Sequence, residues 1–203
     1  MAAAKTRSAA QIKEVIEAGA GIIGQNYVQE AEAVKLKLGE AALRVKWHLI
    51  GHLQTNKVKR AVELFDMIET LDSAKLAEEL DKRCLQAGKT MPCLIEINIA
   101  EEKDKTGIVP ARVADFIDEV KGFNNIKIEG LMTMGPLTGD EEQLRHCFKE
   151  CRIIFDDLKR KNLEGVSMKY LSMGMSGSYR AAIGEGANII RLGEIIFGKR
   201  KEA

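Results

Sequence analysis

The feature that most restricts the fold is an alternation running the length of the chain: a short apolar run, then a longer stretch of helical period, then the next apolar run. The short runs are residues 1–5, 21–26 (GIIGQN), 47–52 (WHLIGH), 66–71 (DMIETL), 92–100 (PCLIEINIA), 127–134 (KIEGLMTM), 170–174 (YLSMG) and 188–193 (NIIRLG). Their length and apolar character predict eight strands. Between them, SAAQIKEVIEAG, VQEAEAVKLKLG, NKVKRAVELF, SAKLAEELDKRCLQAG and EEQLRHCFKECRIIFDDLKRK carry the helical period, several opened by Ser or closed by Gly. Strand followed by helix implies parallel pairing through right-handed crossovers. Eight such units predict a (β/α)8 barrel, with an open doubly wound sheet as the competing arrangement. One domain over residues 1–203 suffices for either. The first strand begins at Met1, so the barrel floor is expected either to be covered by another element or to belong to a longer version of the chain.

The last stretch, YLSMGMSGSYRAAIGEGANIIRLGEIIFG (170–198), is dense in Gly and Ser where core packing alone would favour aliphatic residues. In a parallel barrel, function gathers at the carboxyl ends of the strands, and phosphate sites commonly form from the loops after strands seven and eight. Ser176, Gly177 and Ser178 lead directly into YRAAIGEG. Backbone N–H groups there favour an anion, glycine lets it approach and a serine hydroxyl adds a donor. Arg191 lies on the last strand and Gly193 just beyond it, where EIIFG is expected to turn a further short helix facing the same anion. The competing explanation is that these glycines only make tight turns. Lys5 ends the first strand, so barrel closure would set it beside strand eight, Arg191 and this cradle. In a partly desolvated site a lysine forms an imine with a carbonyl compound; without closure Lys5 is a solvated surface residue.

A phosphate cradle with an imine-forming lysine is the constellation expected for pyridoxal 5′-phosphate. The segments AKTR, IKEVIEAG, GQNYVQEA, WHLIGHLQTNK, INIAEEKDKTG, GLMTMGP, LSMGMSGSYRAAIGEGAN and IRLGEIIFG resemble, in order, the YggS/PROSC family of pyridoxal phosphate homeostasis proteins, from Lys5 to about Arg200. The resemblance implies a TIM barrel of the alanine racemase N-terminal type that holds the cofactor on Lys5. It further implies that Ser176 and the amides at Gly177, Gly193 and Glu194 hold the phosphate. Arg191 matches the arginine that racemase-like barrels aim at the pyridine nitrogen, and Asn26, at the end of strand two, is a candidate cofactor contact. Three features differ from the family pattern: no helix precedes strand one, the usual GEN reads GQN at Gln25, and the Thr after RxG is Glu194. A carboxylate repels phosphate, so the Glu194 side chain is expected to point away.

The remaining signals narrow the function further. With 31 basic against 30 acidic residues, no field steers a polyanion, so nucleic acid is not the expected partner. No apolar stretch is long enough for a membrane span and MAAAKTRSAAQIKE does not read as a signal peptide, which predicts a cytoplasmic protein. Cys84, Cys93, Cys147 and Cys151 have no CxxC spacing and are expected to be free thiols; Cys147 and Cys151 with His146 do not make a zinc site. His48 and His52 share a strand face and read first as hydrogen-bonded barrel-end residues, with a ligand or base role as the alternative. Asn56 and Lys57 read as capping and solvated positions, the 101–105 loop EEKDK as a solvated loop, and Met132, Met134, Met173 and Met175 as packing.

Racemisation needs acid/base groups on both faces of the substrate. In racemases the partner of the lysine is a tyrosine from a second domain of another subunit, and among Tyr27, Tyr170 and Tyr179 the middle one begins a strand at the wrong end. The resemblance therefore implies a monomeric, non-catalytic carrier of pyridoxal phosphate acting in cofactor and amino-acid homeostasis, with cofactor-dependent apoenzymes as recipients. A fold-type III amino-acid racemase and a phosphate-binding barrel enzyme without cofactor are the alternatives.

Overall fold

The computed structural model describes residues 1–102, 104–136 and 138–199. The expected alternation is present in full. In chain order the main elements are β1 (Ala2–Ala3), α1 (Ala9–Glu17), β2 (Ile22–Gln25), α2 (Val28–Leu38), β3 (Lys46–Leu49), α3 (Val58–Leu64), β4 (Met67–Leu71), α4 (Ala74–Ala87), β5 (Met91–Glu96), α5 (Val113–Val120), β6 (Ile126–Thr133), α6 (Glu141–Lys161), β7 (Val166–Met175), α7 (Tyr179–Gly184), β8 (Ile189–Arg191) and α8 (Glu194–Phe197).

Local chemistry sets the helix ends. Ser8 caps α1 in a reciprocal capping box with Gln11, and Ser73 caps α4, which Gly88 ends in a left-handed conformation at φ 62°. Asp140 accepts from the amides of Glu142 and Gln143 at the start of α6. The longer helices turn an apolar stripe inward; on α6 this is Leu144, Cys147, Phe148, Cys151, Phe155 and Leu158.

All eight strands pair in parallel in sequence order. The edges then meet: Ala2 bridges Leu192, with the Ala3 amide donating to the Leu192 carbonyl at 2.9 Å and the Leu192 amide to the Met1 carbonyl at 3.1 Å. A doubly wound sheet reverses its strand order and keeps open edges, so this closure decides for the barrel. β1 is shorter than the apolar run suggests, because the chain turns at Lys5 and Thr6, the latter at φ 63°. β7 starts at Val166, ahead of the expected 170.

Side chains alternate between the lumen and the layer beneath the helices. The register Gly24↔His48↔Met67 places these three on one face, and Met67, Leu94 and Met132 form a small apolar cluster apart from the main core, with Tyr170 packed against it. Two residues further along β4, β5 and β7 the lumen turns polar at Glu69, Glu96 and Ser172. Among the described residues, no helix is long and apolar enough to cross a membrane.

All four cysteines are buried free thiols, and burial pushes the Cys151 thiol up to about 12 and the Cys93 thiol higher still. Native protein at neutral pH is therefore expected to resist iodoacetamide at every cysteine and to react at all of them in denaturant. Mass spectrometry reads both states, and rapid native labelling of Cys93 or Cys151 would contradict the packing. His146, by contrast, is exposed on α6 and pairs with Glu150 at 3.3 Å.

Candidate functional site

The carboxyl ends of β7 and β8 bring the two glycine-rich loops together. Met175 and Ser178 close a turn in which the Ser178 amide donates to the Met175 carbonyl at 2.9 Å and the Met175 amide to Ser178 Oγ at 3.0 Å. That turn presents Ser176 and Gly177. Ser176 Oγ reaches the second loop and accepts from the amide of Ile195, in the first turn of α8, at 3.5 Å. Among the described residues, none accepts a hydrogen bond from the amides of Ser176, Gly177, Gly193 or Glu194. A Cβ at Gly177 would meet nothing within 4 Å, so the loop is open on that side. Unpaired amides from two loops beside a serine hydroxyl make a site for an anion.

Closure sets the end of β1 against this cradle. A Cβ at Gly193 would lie 3.4 Å from the Ala3 carbonyl, and Arg7 donates to the carbonyls of Phe197 and Gly198. Lys5 follows directly in the turn, half-buried, with its ammonium 5.3 Å from the centre of the exposed Tyr27 ring. Glu194 is exposed.

Beneath the mouth, Arg191 is 4% exposed and donates to Ser172 Oγ at 2.8 Å and to the Thr133 carbonyl at 2.7 Å. Ser172 Oγ donates in turn to Glu69 Oε2 at 2.6 Å, while Glu69 Oε1 lies 2.7 Å from His48 Nδ1. Burial lowers the proton affinity of Arg191, and the nearby carboxylates of Glu69 and Glu96 oppose that. Glu96, held by the Thr106 hydroxyl at 3.1 and 3.2 Å, has its pKa raised by burial and, to a lesser extent, by Asp72; the Thr106 bond, His52 and Arg191 pull it back.

On the β2–β3 side of the mouth, a cleft of about 330 Å³ is lined by Asn26, Tyr27, His52, Gln54 and Lys57 among others. His52 Nδ1 faces Asp72 Oδ2 at 3.0 Å and its ring is half exposed, whereas His48 is buried in the lumen, so the two histidines occupy different environments. Gly51 has a positional reason: an added Cβ would sit 2.4 Å from the Asn26 carbonyl oxygen and 2.8 Å from its Cα. Both are backbone atoms. Gly51→Ala is thus expected to push Asn26 out of place and to cost about 1 to 3 kcal/mol, the usual penalty of overpacking, as read by urea unfolding; a neutral substitution would contradict the close approach.

The family model for the alanine racemase N-terminal domain matches residues 2–201. The pyridoxal phosphate homeostasis protein of Aquifex aeolicus is 37% identical over 203 residues, covering 99% of this chain and 86% of that protein. The chain belongs to this family. A second member, from Pasteurella multocida, is 33% identical over 98% of the chain and 85% of its own length. Among solved structures, PipY of Synechococcus elongatus with PLP bound superposes with a TM-score of 0.89 at 33% identity, covering 98% of this chain and 91% of PipY. An alanine racemase from Clostridium difficile shares the fold at a TM-score of 0.75 and 13% identity, over 99% of this chain and 55% of its own.

Family motifs acquire physical content here. The glycine of WHLIGHLQTNK is the one that backs Asn26, and the serines of LSMGMSGS divide between the lumen at Ser172 and the loop at Ser176 and Ser178. At the family's GEN position, Gln25 is fully buried, and neither of its side-chain polar atoms has a partner among the described residues. Its neighbour in register, Leu49, belongs to the core. An unsatisfied buried amide costs about 1 to 3 kcal/mol, so Gln25→Met is expected to raise the unfolding free energy by an amount of that order; destabilisation in a urea titration would show that Gln25 has a partner after all. Of the other signals in the sequence, Met132 packs in the lumen and Met173 in the core, Met134 is exposed, and the loop residue Lys103 lies outside the described residues. Glu69, Glu96 and Ser172 were not expected as site residues. Their only signal is a polar side chain inside the apolar runs DMIETL, PCLIEINIA and YLSMG.

Proposed function

We propose that the chain binds pyridoxal 5′-phosphate at the barrel mouth, holds it on Lys5 as an imine, and serves cofactor and amino-acid homeostasis as a cytoplasmic, monomeric single-domain carrier that supplies cofactor-dependent apoenzymes. The observation that carries this reading is the meeting of unpaired amides from two loops around Ser176, next to the end of the strand that leads into Lys5. These donors fit a phosphate dianion, and Gly177 leaves it room. Ser176 and the amides of Gly177, Gly193 and Glu194 would hold the phosphate, with Asn26 at the rim. When bound, the cofactor supplies an aldehyde that condenses with amines and a ring that withdraws electrons.

The placement of the tyrosines favours the carrier over the racemase, whereas Arg191 fits both, since racemase-like barrels also aim an arginine at the ring nitrogen. A guanidinium only donates, so it cannot take a proton from the ring nitrogen or share one with it as a carboxylate would. A ring nitrogen left unprotonated withdraws fewer electrons. The tyrosines are dispersed: Tyr170 packs at the lumen floor, Tyr179 starts α7, and Tyr27 is exposed beside Lys5.

Deuterium exchange at the α-carbon of L-alanine, followed by chiral chromatography, tests the carrier reading. Slow exchange without D-alanine is expected. D-alanine formed at about one turnover per second or faster, within the range of ordinary enzymes, would establish a racemase instead.

A further inference from the structure

The lumen carries opposite charges that solvent scarcely reaches. Glu69 is 0% and Arg191 4% exposed. They are joined through one hydroxyl, Arg191 to Ser172 at 2.8 Å and Ser172 to Glu69 at 2.6 Å, and His48 meets the other oxygen of Glu69 at 2.7 Å. Donor chemistry fixes the direction of these bonds. A guanidinium only donates, so Ser172 accepts from Arg191 and its single proton goes to Glu69 Oε2. A carboxylate only accepts, so Oε1 also accepts, from an Nδ1–H on His48. Glu96, the neighbouring carboxylate, bonds Thr106 through both oxygens and offers Arg191 attraction without a hydrogen bond.

We infer that Glu69 is the positioning residue of this site: a single carboxylate, engaged at both oxygens, which immobilises the Arg191 guanidinium through Ser172 and fixes His48 as its Nδ1–H tautomer. The groups whose charge bears on Arg191 are Glu69 from β4, Glu96 from β5 and the Met1 ammonium ahead of β1. Glu69 alone among them is tied to it by a chain of hydrogen bonds. The consequence for cofactor binding rests on the reading of Arg191 given above, whereas the hydrogen-bond order of the lumen does not depend on it.

Glu69→Gln separates shape from acceptor count. Glutamine has nearly the same outline but one acceptor and one donor, so it cannot accept from His48 and Ser172 together. In ¹⁵N-labelled, cofactor-free wild-type protein, NMR is expected to show His48 protonated at Nδ1 and the Arg191 Nε–H rigid. In Glu69→Gln, either His48 moves to the Nε2–H tautomer or the Arg191 Nε–H becomes mobile. Ser172→Ala, which cuts only the arginine arm, is expected to free Arg191 and leave His48 unchanged. With pyridoxal phosphate added, Glu69→Gln should raise Kd about tenfold, the worth of a hydrogen bond to a charged group.

An Nε2–H tautomer of His48 in the wild type overturns the inference, and so does a folded Glu69→Gln protein in which His48 and Arg191 are both unaltered. If Glu69→Gln does not fold, the wild-type tautomer together with Ser172→Ala decides. An unchanged Kd overturns the role toward the cofactor. Should the wild type bind no pyridoxal phosphate at all, the proposed function fails while the NMR results still decide on Glu69.

Discussion

Arg191→Met is expected to lose about 3 to 5 kcal/mol of folding stability, the scale of breaking a buried ion pair by removing one partner. The side chain that remains fills similar space, so the loss reports charge and hydrogen bonding rather than a cavity. Two buried carboxylates, Glu69 and Glu96, lose their cation, and Ser172 and the Thr133 carbonyl each lose a donor. Against a typical total of about 5 to 15 kcal/mol, the variant is marginal at best. Arg191→Lys keeps the charge but not the fork that reaches both Ser172 and Thr133, so it should fall between the two. The pH dependence follows from Glu96. Burial already raises its pKa, and removal of Arg191 takes away one of the attractions that held it down. A carboxyl whose folded-state pKa exceeds the unfolded one binds its proton more tightly in the native state, so stability falls as pH rises from the ordinary carboxylate range through the folded value. The deficit of Arg191→Met should therefore be smaller in mild acid than at neutral pH. Urea unfolding at both pH values measures it, and a loss under about 1 kcal/mol, the scale of an exposed ion pair, would contradict the buried network.

Lys5→Ala is expected to abolish the visible absorbance of an imine while leaving measurable affinity for the cofactor's phosphate. The two functions are carried by different atoms. The ammonium of Lys5 lies in the turn after β1, whereas the proposed anion donors are Ser176 and amides of the loops after β7 and β8. Ser176→Ala complements it: the imine band should persist, but affinity should fall by about 1 to 2 kcal/mol, or roughly 5- to 30-fold, for one hydrogen bond to a charged group. Calorimetric titration with pyridoxal phosphate reads both variants. No binding at all to Lys5→Ala would mean that the two loops do not form an anion site.

The architecture was legible in the sequence because each strand is a local signal. NIIRLG and YLSMG stand out as apolar runs whatever they pair with, and the capping residues Ser8 and Ser73 act on amides three residues away. The two glycine-rich loops were legible for the same reason, since Ser176 and Gly177 announce themselves by composition within one turn. Lys5 was legible only conditionally: its claim depends on closure, and the Ala2–Leu192 bridge spans nearly the whole chain. The lumen network was not legible. Glu69 and Ser172 are 103 residues apart, and in DMIETL an alternating Glu reads as the solvent-facing position of a half-buried strand. Only when the sheet closes does that face become an interior, and a buried glutamate then needs the hydroxyl, imidazole and guanidinium that the other strands supply.

Borohydride reduction of the cofactor-loaded protein, followed by proteolysis and peptide mass mapping, tests the central claim most directly, because it turns an imine into a stable bond at the lysine that formed it. The account predicts a single pyridoxyl-phosphate modification on the peptide containing Lys5. Modification concentrated at another lysine, with Lys5 unlabelled, would contradict it.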